Sequence, residues 1–167
     1  MGVALLAGCA PSGAKLEAMA RLGEIQADAP IKADASILIA APPQTVWRRL
    51  TDIDHWPDWQ LDIHSAKLVG PLASGSTFVW RSSVTVRSRL ALVRPPSTMS
   101  WTGHALGLKA VHVWTISDQR DGRTQLRTRE SMDGWPMSLL YNSAQLQASD
   151  LAWLAALKKA SEAAPDR

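Results

Sequence analysis

The order of patterns along the chain predicts an α+β domain. In it a curved seven-stranded antiparallel sheet wraps around one long C-terminal helix, with two short helices after the first strand. Two observations carry this reading. Residues 62–132 alternate polar and apolar side chains at period two in six successive runs, after a single β-branched run near residue 38. Residues 137–161 then carry apolar side chains at helical spacing, and such a stripe must be buried against a large apolar partner. The concave face of the sheet is the only partner of that size.

Each element has a local cause. Ser36-Ile-Leu-Ile-Ala40 reads as the first strand, and Pro42-Pro43 ends it. Pro43 suits the first turn of a helix over 44–51, in which Val46, Trp47 and Leu50 share one face. His55–Trp59 is too short for more than one turn and aims Trp56 and Trp59 inward. Strands follow at 62–69, 76–81, 84–93, 98–104, 109–118 and 123–132, separated by Gly-Pro, Ser-Ser, Pro-Pro and Asp-Gly signals. In the third, Val84, Val86, Ser88, Leu90 and Leu92 form the inner face, while Thr85, Arg87, Arg89 and Ala91 form the outer one. Arg127 and Arg129 also belong to a solvated face. The last helix begins after Pro136; its stripe is Leu140, Ala144, Leu151 and Leu154, widened by Leu146, Trp153 and Leu157. Lys158 and Lys159 complement the dipole at its end.

Composition narrows the function. The 167 residues fit one domain, assigned to 34–162, with 10–33 as a linker or accessory helix. Net charge is +3 and no block of like charge occurs, so the scattered Arg residues give no nucleic-acid footprint. No apolar run approaches the roughly 18 residues of a membrane-spanning helix. Eight Trp against one Tyr and one Phe suit either a bulky core or a pocket for ring-containing apolar molecules.

At the amino terminus, Leu6-Ala7-Gly8-Cys9 resembles the lipobox of bacterial lipoproteins, in which the cysteine becomes acylated. Only eight residues precede Cys9, and none is Lys or Arg. Either a longer signal lies upstream, and the domain is tethered to a membrane in an extracytoplasmic space, or the match is chance and the protein is cytoplasmic. Cys9 is the sole cysteine, so no internal disulfide forms.

Ala41-Pro-Pro-Gln-Thr-Val-Trp-Arg-Arg-Leu-Thr-Asp-Ile-Asp-His-Trp-Pro-Asp-Trp59 resembles the "APPxxVWxxLTDIxxWPxW" entrance of the SRPBCC, or START-like, superfamily. Trp101-Thr-Gly103, His112-Val-Trp114, Gly122-Arg-Thr124, Glu130-Ser131 and Trp153-Leu154 extend the likeness over about 31–160. The bacterial polyketide cyclase/dehydrase-like branch is the nearest in pattern. The resemblance implies a helix-grip fold around a pocket for a small hydrophobic molecule. It does not imply a shared catalytic set, so fold leaves function open.

The candidate site comes from the last hairpin. A three-residue loop at Arg120-Asp121-Gly122 pairs residues whose numbers sum to 242: Ile116 with Leu126, Trp114 with Thr128, and His112 with Glu130. A carboxylate beside an imidazole orients the ring and raises its pKa, as general acid–base chemistry requires. A satisfied buried polar pair is the alternative. Phe78, Trp80, Met99 and Trp101 are expected to line apolar walls, with Ser88, Tyr141 and Asn142 as inward polar groups beside Trp114 and Thr128. His55, His64, His104 and His112 lack close metal-ligand spacing, so neither a metal nor another cofactor is expected. Two functions follow: a binder or carrier of a lipid-like or aromatic molecule, and a cyclase or dehydratase moving protons through His112 and Glu130.

Overall fold

The computed structural model describes residues 12–163, so Cys9 and the segment proposed as a lipidation signal lie outside the described residues. Helix α1 (Gly13–Leu22) is followed by β1 (Ile31–Ile39), α2 (Pro43–Thr51), a 3-10 helix (Ile53–Asp58) and six strands. These are β2 (Ser65–Val69), β3 (Thr77–Arg81), β4 (Thr85–Arg94), β5 (Thr98–Ala105), β6 (Leu108–Asp118) and β7 (Thr124–Asp133). A 3-10 turn at Met137–Leu139 leads into α3 (Ser143–Glu162). The strands form one antiparallel sheet ordered β1-β7-β6-β5-β4-β3-β2. This is the expected helix-grip arrangement.

The first strand is longer than the β-branched run suggested. It begins at Ile31, because Ile31, Ala33 and Ala35 alternate buried with exposed Lys32, Asp34 and Ser36. Small alanines carry the same period as the isoleucines but a weaker sequence signal.

The last helix starts later than expected, at Ser143. Asn142 caps it by accepting from the Gln145 amide at 3.0 Å, and the Gln145 side chain accepts from the Asn142 amide at 3.0 Å. Leu140 therefore lies outside the helix and is exposed, and Leu151 faces partly outward. The buried stripe is instead Leu146, Asp150, Trp153, Leu154, Leu157 and Ser161.

Inside the grip, Trp153, Leu154 and Leu157 meet Leu50 and Trp56 from the α2 region and Phe78, Leu90, Met99, Trp114 and Leu126 from the strands, while Leu146 packs on Ile31 and Ala33. Trp56 sits at the centre, its ring centroid 5.0 Å from that of Trp153, 5.6 Å from Phe78 and 5.9 Å from Trp101. Its indole N–H donates to the Leu50 carbonyl at 2.9 Å, so even this fully buried polar group is satisfied.

Helix α1 lies on the outer face of the sheet, where Leu16 and Ala20 bury Ala91, Val111 and Val113. Ser100 donates to the Ala20 carbonyl, and Arg129 donates to the Gly23 carbonyl at 2.7 Å. A register shift between Leu90 and Leu92 in β4 serves this contact. The bulge brings Leu92 to the α1 side beside Gly23 and returns Val93 to the inner core, a departure from strict alternation.

Side chains cap part of each rim of the sheet. Along β1, Ser143 accepts from the Lys32 amide at 3.0 Å, and Gln147 accepts from the Asp34 amide at 3.1 Å while donating to the Asp34 carbonyl at 3.1 Å. Glu162 accepts from the Ala40 amide at 2.6 Å, and Lys158 donates to the Leu38 carbonyl at 2.8 Å. On β2, Asp54 accepts from the Leu68 amide at 2.7 Å and pairs with Lys67.

Candidate functional site

Bending the sheet around α3 leaves a cavity of about 620 Å³ between the first half of the helix, the inner face of the sheet and the loops after β3, β5 and β7. Trp80, Trp101 and Trp153 form its aromatic walls, with Leu108, Met132 and Leu146 beside them. Leu106 and Leu140 line it and are also exposed, which places them at the mouth. His64 and His104 line it as well, and His55 pairs with Asp52 elsewhere.

The inner polar group is built by the last hairpin. Gly122 takes a φ of 78° in the turn, and the register pairs His112 with Glu130, Trp114 with Thr128 and Ile116 with Leu126, as the sequence predicts. His112 Nδ1 lies 3.5 Å from Glu130 Oε2, and His112 Nε2 is 2.6 Å from Thr128 Oγ1. The imidazole is held between two indoles, 4.7 Å from Trp101 and stacked 5.1 Å from Trp114.

Helix α3 adds a third group that the sequence reading did not single out. Asp150 projects from the buried stripe so that its carboxyl, the Glu130 carboxyl and the His112 ring offer atoms within 4.8 Å of one another. All three line the cavity. Asp150 is 1% exposed, and its Oδ2 has no hydrogen-bond partner among the described residues.

The electrostatics reverse one expectation. Glu130 does not raise the His112 pKa; burial in an apolar wall pushes it down to about 3, so the ring is neutral. Burial likewise lifts the Glu130 carboxyl well above the usual range, and the neighbouring Asp150 lifts it further. Burial brings Asp150 up to about 7. The His112–Glu130 contact therefore joins a neutral base to a protonated acid rather than two ions.

Of the other expected site residues, Trp80, Trp101 and Tyr141 line the cavity. Phe78, Met99 and Trp114 are fully buried in the core behind it. Ser88 is buried and accepts from the Trp80 indole N–H at 3.2 Å, which fixes that wall. Thr128 holds the imidazole instead of facing the cavity, and Asn142 caps α3.

Comparison with solved structures places this architecture among many similar folds. A hypothetical protein from Helicobacter pylori superposes with a TM-score of 0.71 at 18% identity, over 81% of this chain and 90% of that one. The Zhui aromatase/cyclase from a Streptomyces species gives 0.68 at 16% identity, over 78% and 93%. A START superfamily protein from Mycobacterium smegmatis gives 0.62 at 12% identity, over 78% and 94%. At such identities the likeness is one of fold. No curated protein matches the sequence significantly. The family described as polyketide cyclase / dehydrase and lipid transport matches residues 30–164, from the start of β1 to the end of α3, and the chain belongs to that family.

Proposed function

We propose that the protein binds or carries a small hydrophobic molecule, with rings or a lipid-like body, in the cavity under α3. The observation that carries this reading is the cavity itself. About 620 Å³ bounded by Trp80, Trp101 and Trp153 lies within the usual size of small-molecule sites and has their apolar walls with a few convergent polar groups. Native mass spectrometry of protein purified from its host tests it. A co-purifying apolar mass of one per chain is expected, and persistently empty protein that also fails to take up a fluorescent hydrophobe refutes it.

A second reading is enzymatic and rests on the inner polar group. A Glu130 carboxyl that burial keeps protonated, an Asp150 carboxyl raised to about 7 and a neutral imidazole put a proton donor and acceptors on one wall, as a cyclisation or dehydration requires. Glu130 is the acid in this reading and Asp150, poised near neutral pH, the base; His112, with a pKa of about 3, accepts a hydrogen bond from the reacting group. If a poly-carbonyl substrate is turned over and His112→Ala leaves that turnover intact, the assignment fails. The resemblance of Leu6–Cys9 to a lipobox supports a membrane tether in the same proposal, and metabolic labelling with palmitate, abolished by Cys9→Ala, tests it.

A further inference from the structure

We propose that the molecule held in the cavity is a hydrophobic primary amine, its ammonium group bound by His112, Glu130 and Asp150 and its apolar body lying against Trp80, Trp101 and Trp153. The inference rests on the ligand-binding reading and names the chemical class of the ligand.

Three acceptors converge on one point of an otherwise apolar wall, none more than 4.8 Å from the others. A primary ammonium presents three N–H donors in a cone. With donor–acceptor distances of about 2.8 Å, tetrahedral geometry sets its acceptors about 4.6 Å apart, so His112 Nδ1 and Glu130 Oε2, 3.5 Å apart here, must part by about 1 Å when the ammonium seats. His112 takes part through Nδ1: with the ring proton on Nε2 and donated to Thr128, Nδ1 keeps its lone pair on the Glu130 side. Asp150 contributes an oxygen that nothing else bonds among the described residues, buried at 1% exposure on the cavity wall. Such a group is costly to leave unmatched, and the cost is removed when a donor arrives.

The charge balance points the same way. Among the described residues no Lys or Arg lines the cavity, so two carboxyl groups share a low-dielectric wall with no cation of the protein's own. A ligand ammonium supplies one, and one carboxyl can give up its proton to neutralise it while the other keeps its own. Indole faces add favourable ground for a cation approaching between them. A bare divalent ion would also balance the charge, and its donors, about 3.4 Å apart at bond lengths near 2.1 Å, would suit the 3.5 Å His112–Glu130 spacing as it stands. It would leave the 620 Å³ of apolar space beside the cluster without an occupant. An amine on an apolar body accounts for both features.

The test measures quenching of the tryptophan fluorescence in phosphate buffer at pH 8 by 4-phenylbutylamine, 4-phenylbutan-1-ol and 4-phenylbutyric acid, three probes that differ only in the terminal group. The amine is expected to bind about tenfold more tightly than the alcohol or better, as charge-assisted hydrogen bonds imply. Asp150→Asn should bring amine and alcohol within about twofold of each other, and Glu130→Gln serves if the first variant fails to fold. Equal or weaker binding of the amine overturns the inference, as does a preference that survives both substitutions. One-to-one binding of Zn2+ alone without any amine preference overturns it in favour of a metal centre. Alcohol binding without amine preference removes the ammonium and leaves the cavity reading standing. Failure of all three probes and of a fluorescent hydrophobe removes both.

Discussion

His112 faces Glu130 across β6 and β7, with Nδ1 3.5 Å from Oε2, and neither group carries charge in that contact. The pairing fixes where a proton can move on the cavity wall and makes the fold itself sensitive to pH.

Glu130→Gln is expected to melt at a higher temperature than the native protein at pH 8, with the difference shrinking toward pH 5. Glu130 and Asp150 are acids whose folded pKa is raised, so their native forms hold protons that the unfolded chain releases above about pH 4.5. Stability from these groups is present below that pH and is lost as pH rises toward the folded values, about 7 for Asp150. His112 acts oppositely, because its folded pKa of about 3 makes the unfolded chain the better proton binder below about pH 6.5. His112 and Asp150 thus largely offset each other between pH 4 and 6.5, and Glu130 sets the slope. Thermal melts of both proteins across pH 5 to 8 check this; a gap that widens on acidification contradicts it.

Leu16→Ala is expected to destabilise the domain by about 2–3 kcal/mol without altering binding of a hydrophobe. Leu16 is 3% exposed on the outer face, against Ala91, Val111 and Val113, with the sheet between it and the cavity. Urea unfolding together with a ligand titration separates the two effects.

Gly134→Ala is expected to cost about 1–3 kcal/mol and to disturb the cavity mouth. Gly134 has a φ of 152°, and a Cβ there would collide with the backbone carbonyl of Gly107 in the β5–β6 loop. A backbone atom cannot swing aside, so the loop carrying Leu106 must shift. Melting temperature and probe affinity should fall together.

Much of this was legible in the sequence, for physical reasons that differ by element. The turn at Arg120–Gly122 and the alternation around it determined the last hairpin's register, because a slip of one residue would turn Trp114 and Leu126 out of the core. Asp150 was hidden by the assumed helix start. Counting from Leu140 and Ala144 sets one stripe; counting from Leu146 at intervals of four and three passes through Asp150 to Trp153, Leu154 and Leu157. The signal for the true start was Asn142 with Gln145 three residues later. The depressed pKa of His112 was not legible, since the sequence shows a neighbouring carboxylate but not how far both groups are removed from water. Phe78 and Trp114 carry the same apolar signal as the cavity walls, and only the depth of packing separates core from lining.

An open sheet normally invites a stranger's strand at either border, the route by which β-rich chains aggregate or swap. Here Ser143, Gln147 and Lys158 occupy the Lys32 and Asp34 amides and the Asp34 and Leu38 carbonyls of β1, Glu162 takes the Ala40 amide just past it, and Asp54 takes an amide of β2. The same helix that roofs the cavity therefore also works as a guard rail. Loss of α3 would empty the pocket and at once expose a template on which copies of the chain could polymerise.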